Sequence, residues 1–388
     1  MVRHVDCDAG IWRFTFVLCG AGSTFVGPFL PSLSTTWHLT DSHAGLLVSA
    51  FFLGSFLGTL LLSHHLRRTL NIGASMACIG LLLFSRTLGY SSGFPFAIIA
   101  LAITGFGLGQ LMSSINLLVG CAESARRAGS LASIAAAWCL GAVLSPTLTT
   151  VIITSLTPQL RLALFAALFI TPALWSSGRP LPTRPVSQQN PTTMDSRVST
   201  TWRPAILCVI MFLVYGGVEA SISAWMPMFA TRYRLGTLGK AQWIVSLFWI
   251  GLGSSRVVID RFIAIKREDQ ATRIFLFVAA VSLFCLVVVP SRFGLLAGCL
   301  LAGFSLGPIF PLILSSSIGL GLSSRSLGIA LAACGLGSAI FPYFLGLISS
   351  AGSLQNGMAV PVIGLVILIA LAGKISRNQI DVLHFHSN

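Results

Sequence analysis

The sequence predicts an all-α membrane protein of twelve transmembrane helices, arranged as two six-helix bundles related by a parallel repeat. Three observations carry this prediction. Only 9% of the 388 residues are charged and 55% are hydrophobic, with a mean hydropathy of +0.88. A typical soluble domain carries about 25% charged residues, so this chain has too few to cover its own surface in water. Twelve stretches approach the ~20 apolar residues that a spanning helix needs. Three segments recur at almost one spacing.

In chain order, the first half offers spans over roughly 12–35, 43–63, 70–88, 94–120, 129–153 and 160–176. Pro, Ser, Thr and Arg then crowd residues 177–203, the one long polar interruption, which reads as a linker. The second half offers 204–229, 239–260, 272–290, 293–318, 326–350 and 357–373. The expected domains are therefore 1–176, 177–203 and 204–388, the last ending in a short cytoplasmic tail. Gly and Pro inside the spans are ordinary for membrane helices. Gly307-Pro308-Ile309-Phe310-Pro311 in the tenth span must still disturb it. Each Pro removes a backbone hydrogen bond and clashes with the preceding turn.

The repeat is the most informative pattern. Val48-Ser49-Ala50-Phe51-Phe52-Leu53-Gly54 matches Val245-Ser246-Leu247-Phe248-Trp249-Ile250-Gly251 at an offset of 197. Gly105-Phe106-Gly107-Leu108-Gly109 matches Gly303-Phe304-Ser305-Leu306-Gly307 at 198, and Leu140–Pro146 matches Leu336–Pro342 at 196. An even number of helices per half gives both copies the same orientation. Such duplication marks transporters whose halves rock around a site near the bilayer midplane.

With the N-terminus placed in the cytoplasm, the inner segments hold seventeen Lys and Arg and the outer loops six, with Arg256 inside a span. That positive-inside bias puts both termini in the cytoplasm. No cleavable signal peptide is evident, and a bacterial inner membrane is the expected location. The net charge of +14 is spread in pairs between apolar spans, which excludes a nucleic-acid partner. The nine Cys show no C-x-x-C and no Cys/His ligand spacing, so neither a disulfide framework nor a metal site is expected. No nucleophile–base pair appears, which argues against an enzyme, and no cofactor is expected. The partners anticipated are the bilayer, a small-molecule substrate and a proton, with the chain a monomer.

Arranged this way, the chain resembles the major facilitator superfamily over residues 12–373. That family carries a charged signature after its second helix, repeated after its eighth. Gly253, Arg256, Asp260 and Arg261 match the second copy, while Arg67 and Arg68 remain of the first. The resemblance implies a cytoplasmic latch at these residues; an ordinary ion pair with positive-inside topology explains them equally. Within the superfamily, YGGVEASISAW (215–225), GFGLGQLMSSINLLVG (105–120) and LGAVLSP (140–146) look like the fucose permease type of sugar:proton symporter. Two departures stand out. The first span has no acid, and Met112 occupies the position four before Asn116, where that type has a Glu.

The strongest single candidate is Glu219, isolated within FLVYGGVEASISAWMPMF (212–229). An ionisable group at such depth is costly and marks a functional site by default. Desolvation disfavours its charged form and a nearby cation favours it, so one carboxylate can link proton binding to solute binding. The alternative is a structural Glu tied to a neighbouring helix. At the repeat offset its counterpart is Gly22.

Tyr215 and Ser223 lie one turn either side of Glu219 and share its face. Trp225 points elsewhere and suits either an interfacial belt or substrate stacking. Asn116 and Ser113 in the fourth span, with Gln110, offer groups that donate and accept to a polyhydroxylated ligand; Asn116 also matches the Asn of the resembled family. Trp249 and Phe310 complete the substrate-binding candidates. The expected function is secondary transport of a small polar solute, a sugar above all, coupled to protons through Glu219. An exporter of amphipathic compounds is the alternative, and a non-transporting solute sensor a more remote one.

Overall fold

The computed structural model describes residues 3–61, 65–120, 124–149, 156–177, 202–233, 241–262, 268–288, 291–319, 322 and 324–386. Expectations for the linker itself, and the domain boundaries set on it, fall largely outside these residues. Among the described residues all regular structure is helical.

Twelve spans emerge. In the first half, α1 is Arg3–Thr24 continued as Val26–Thr36, α2 is Asp41–Leu60, α3 is Leu66–Thr87 and α4 is Phe94–Gly120. Next, α5 is Ser124–Leu144 closed by the 3-10 turn Ser145–Leu148, and α6 is Pro158–Leu168 continued as Ile170–Ser177. The second half has α7 at Trp202–Arg232, α8 at Ile244–Phe262 and α9 at Glu268–Val288. Arg292–Leu306 and Ile309–Gly319 form α10, Ser324–Ala351 forms α11, and Ala359–His386, after the turn Leu354–Gly357, forms α12. Eleven helices are long and apolar enough to cross a membrane, and α8 adds the shorter apolar stretch Ile244–Val258. The chain is thus a multi-pass integral membrane protein.

Several even-numbered spans start on a side-chain cap. Thr40, Thr157, Ser291 and Ser353 accept hydrogen bonds from the backbone N–H three residues on, at α2, α6, α10 and the turn before α12. A cap of this kind satisfies one of the orphan donors at a helix start. All four starts lie at one end of the bundle, called here the Asp41 end; the other is the linker end.

The repeat read from sequence reappears as repeated packing. A Cβ on Gly54 would strike the Ala102 carbonyl, and one on Gly251 the Leu300 carbonyl. Gly105 stands against the Phe51 carbonyl as Gly303 does against Phe248, and Gly141 against Val17 as Gly337 against Leu213. Gly20 meets Trp138 where Gly216 meets Cys334. The pairs α2–α4 and α1–α5 are therefore packed like α8–α10 and α7–α11, with small residues letting the backbones touch.

These contacts also correct the register. Helices 1 and 7 correspond at 196, as Gly20 and Gly216 show, so Ser23 rather than Gly22 is the counterpart of Glu219. The spacing drifts from 196 to 198 along the halves because their connections differ in length.

The halves meet through α1–α7, α2–α11 and α5–α8, most closely at the Asp41 end. There the Asp41 carboxylate accepts from both terminal nitrogens of Arg232, one at 2.6 Å, and from the Ser349 hydroxyl. The backbone N–H of Ser42 donates to Ser350 Oγ at 2.7 Å. Along the same seams, Ser49 donates to the Ala339 carbonyl at 2.5 Å and Ser246 to the Val143 carbonyl at 2.7 Å. Gly27 and Gly45 let α1 and α2 approach the backbones of Ser223 and Pro342.

Candidate functional site

The site is built around a break in α10. Pro308 and Pro311 lack an N–H, and the helix stops at Leu306 and restarts at Ile309. In a continuous helix the N–H of residue 311 would bond the carbonyl of Gly307. Arg256 of α8 takes its place, donating from Nε to Gly307 O at 3.1 Å. The neighbouring carbonyl of Leu306 accepts from the Tyr215 hydroxyl of α7 at 3.4 Å. The disturbance expected from the Gly-Pro run is thus real, and it exposes two backbone acceptors at mid-depth.

The single Tyr215 proton is shared between the Leu306 carbonyl and Glu219 Oε2, one turn on along α7, the carboxylate being the nearer acceptor. The Tyr215 ring lies 5.9 Å from that of Phe310 and is itself buried, while Phe310 meets Phe212 edge-on at 5.3 Å. The Arg256 guanidinium interacts electrostatically with Glu219, Tyr215 and the Cys139 thiol of α5. Cys334 of α11 faces Glu219 as well. One carboxylate and one phenol from α7 and one guanidinium from α8 therefore converge where α5 of the first half touches them. Removing either charge would leave the other partly desolvated without its counter-charge, an expensive arrangement.

The remaining candidates fall in different places. Trp249 is buried and stands edge-to-face with Trp138 of α5, ring centroids 5.0 Å apart. Ser113 donates to Thr59 Oγ1 at 3.3 Å and Gln110 to the Leu61 carbonyl at 3.2 Å, so both turn toward α2. Asn116 is exposed, one turn beyond Met112, which receives a weak hydrogen bond from Ser23. Ser223 is buried in the α1–α7 seam. Trp225 is wholly enclosed, its Nε1 donating to the Pro342 carbonyl at 3.1 Å, so it is not at an interfacial belt. Arg67 and Arg68 are exposed at the start of α3. The side chains of Asp260 and Arg261 lie outside the described residues, whereas Arg256 turns into the interface between the halves.

Sequence reasoning missed Cys139, Trp138 and the Gly307 carbonyl. Only the last had a signal, a Pro four residues downstream.

The model of the Major Facilitator Superfamily matches residues 14–342. The chain belongs to the major facilitator superfamily. It is a membrane transporter and not an enzyme. Among solved structures it is similar to the xylose transporter XylE from E. coli in an inward open conformation, at 14% identity, TM-score 0.76 and 96% coverage of each chain. The E. coli fucose:proton symporter FucP aligns at 16% identity and TM-score 0.62, covering 95% of this chain and 98% of that one. A bacterial homolog of the human lysosomal transporter Spinster, inward-facing and occupied, aligns at 14% identity and TM-score 0.69 over 97% of each. No curated protein matches the sequence significantly. At such identities the superfamily neighbours carry the fold alone.

Proposed function

We propose that the chain is a proton-coupled symporter of a small polar, sugar-like solute, with Glu219 as the proton carrier. The observation that carries this is the partly buried constellation of Glu219, Tyr215 and Arg256 where the two halves meet. A carboxylate with one phenolic donor and one cationic neighbour has two alternative ways to stay neutral: a proton, or the guanidinium. Protonation frees Arg256 for a ligand, and ligand release returns it to Glu219. Neighbours of the same fold include proteins described as fucose:proton and D-xylose-proton symporters. The termini and the linker end are read as cytoplasmic, which makes the Asp41 end the outward one and the present arrangement closed to the outside.

The test is Glu219→Gln in proteoliposomes. Uphill accumulation driven by a pH gradient should fall to background, while solute exchange at equal pH persists. Accumulation against a gradient with unchanged pH dependence would sink the proposal.

A second reading has one observation in its favour. An apolar cavity of about 780 Å³ lies between α2, α4 and α11, lined by Leu53, Ile99, Phe106, Leu336 and Phe344 among others. Such a lining suits an amphipathic compound, and extrusion of a dye indifferent to Glu219→Gln would favour export.

A further inference from the structure

Two buried donors near the constellation have no acceptor. Nε1 of Trp138 and Nε1 of Trp249 are both enclosed and unpartnered. Trp249 is 2% exposed. In an edge-to-face pair at most one indole can aim its N–H at the other's ring, and that contact is a weak substitute for an oxygen acceptor. Leaving a buried donor unmet costs about 1–3 kcal/mol. The two rings come from opposite halves, so rocking that parts the halves uncovers both. Indoles donate and never accept, and the same is true of a guanidinium.

Trp249, Gly253 and Arg256 fall at i, i+4 and i+7 on one face of α8. That face looks at α5, where Cys139 packs on Gly253 and interacts with Arg256. Seven residues of helix span about 10 Å, a length that matches a solute of hexose size; Cys139 and Trp138 of α5 cover this face in the present arrangement, and parting of the halves would open it. A solute lying there meets donors at both ends. The carboxylate in reach, Glu219, is already the acceptor for Tyr215.

Charge narrows the class further. Among the described residues, the titratable groups facing Glu219 are Tyr215 on its own helix, Arg256 from α8 and Cys334 from α11, with Cys139 of α5 beside Arg256. With Glu219 charged, the constellation is balanced. With Glu219 protonated, Arg256 has no other carboxylate facing it among the described residues, and a partly desolvated cation left without one is costly. A neutral sugar does not repair this; an anion does. Asp260 lies four residues beyond Arg256 with its side chain outside the described residues, and its pairing with Arg256 would yield the neutral-sugar outcome below.

We infer that the solute is a sugar acid, its carboxylate received by Arg256 and a hydroxyl or ring oxygen at its other end by the indole N–H groups of Trp249 and Trp138. This rests on the proton-symport reading and narrows it to one proton moved with one monoanion, so the occupied site has the same net charge as the empty one.

The test uses the purified full chain with pairs that differ only at C6, D-glucuronate against D-glucose and D-galacturonate against D-galactose. Thermal stabilisation and counterflow in proteoliposomes are both read. The acid of at least one pair should bind at least tenfold more tightly than its neutral partner. Trp249→Phe, which keeps a ring and removes the N–H, should raise its half-saturating concentration about tenfold, in line with one hydrogen bond to a charged or polyhydroxylated ligand. The melting temperature of the unliganded variant should stay near that of the parent. Trp138→Phe should act in the same direction. A neutral sugar moved with protons through Glu219, with the acids ignored, overturns the sugar-acid inference and leaves the symport reading intact. An acid bound equally well by Trp249→Phe and Trp138→Phe removes the indoles from the site and overturns the inference as well. If none of the four sugars binds or moves, both readings fall.

Discussion

Glu219 draws its chemistry from two neighbours, Tyr215 and Arg256, that its own sequence only partly announces. Tyr215 was readable, because residues four apart on a helix share a face. Arg256 was readable as a charge inside a span, four residues from Asp260, whose side chain lies outside the described residues; its approach to Glu219 was not readable. What turns it toward the carboxylate is a carbonyl stranded by Pro311, a fact of backbone arithmetic across two helices. Trp138, which stands against Trp249 rather than Glu219, was illegible for a different reason: its ring partner belongs to the other half, and no local pattern reports such a pairing. The arginine's fork is what the geometry uses, with Nε on Gly307 and the guanidinium interacting with Tyr215 and Glu219 as well. Arg256→Lys keeps the charge but offers a single point of donation. Proton-driven uptake by this variant should therefore fall about tenfold or more, corresponding to loss of one charge-assisted hydrogen bond of about 1.5–3 kcal/mol. Uptake equal to the parent's would show that only the charge matters.

Elements were read far more completely than residues. Composition and span length gave all twelve helices, and the Gly-Pro run gave the break in α10, because both rest on local physics: apolar length and a missing N–H. The capping hydroxyls of Thr40, Thr157, Ser291 and Ser353 went unremarked, although their residue types at helix starts are a sequence signal. The repeat was seen as letters, and its cause lies in glycines that let carbonyls of the facing helix sit where a Cβ would be. Gly303→Ala forces α10 away from the Phe248 carbonyl of α8, and Gly105→Ala forces α4 from that of Phe51. Each should destabilise the folded protein by about 1–3 kcal/mol, the range for overpacking a tight contact. Thermal unfolding in detergent reads this as a lower melting temperature for both variants. A drop in one half alone would mean that the two copies no longer pack alike.

At the scale of the whole molecule, the sequence placed two halves side by side without saying how they are held. Asp41 and Arg232 sit at helix ends and read as ordinary surface charges; only the folded chain makes them a clasp between α2 and α7, joined by Ser349 from α11. Asp41 is 6% exposed and Arg232 38%, so the pair is partly shielded from water and salt. Asp41→Asn removes the charge that gathers three donors and should cost about 1–3 kcal/mol of closure, discounted for the arginine's exposure. The expected result is faster maleimide labelling of a cysteine placed at Ser223, which the α1–α7 seam now buries. Labelling is to be judged above the background from exposed Cys285. An unchanged rate would mean that the seam closes without the clasp.

The bond from Arg256 to the Gly307 carbonyl has a mechanical side. The break between Leu306 and Ile309 leaves the two segments of α10 without a continuous ladder, so the joint can flex there more cheaply than elsewhere. A guanidinium tied to that joint at one end and drawn to a carboxylate at the other works as a tie rod. On the proposed symport reading, the charge on Glu219 and the bend of α10 become one coordinate: a proton arriving at the carboxylate would slacken the rod, and bending the helix would pull on the carboxylate.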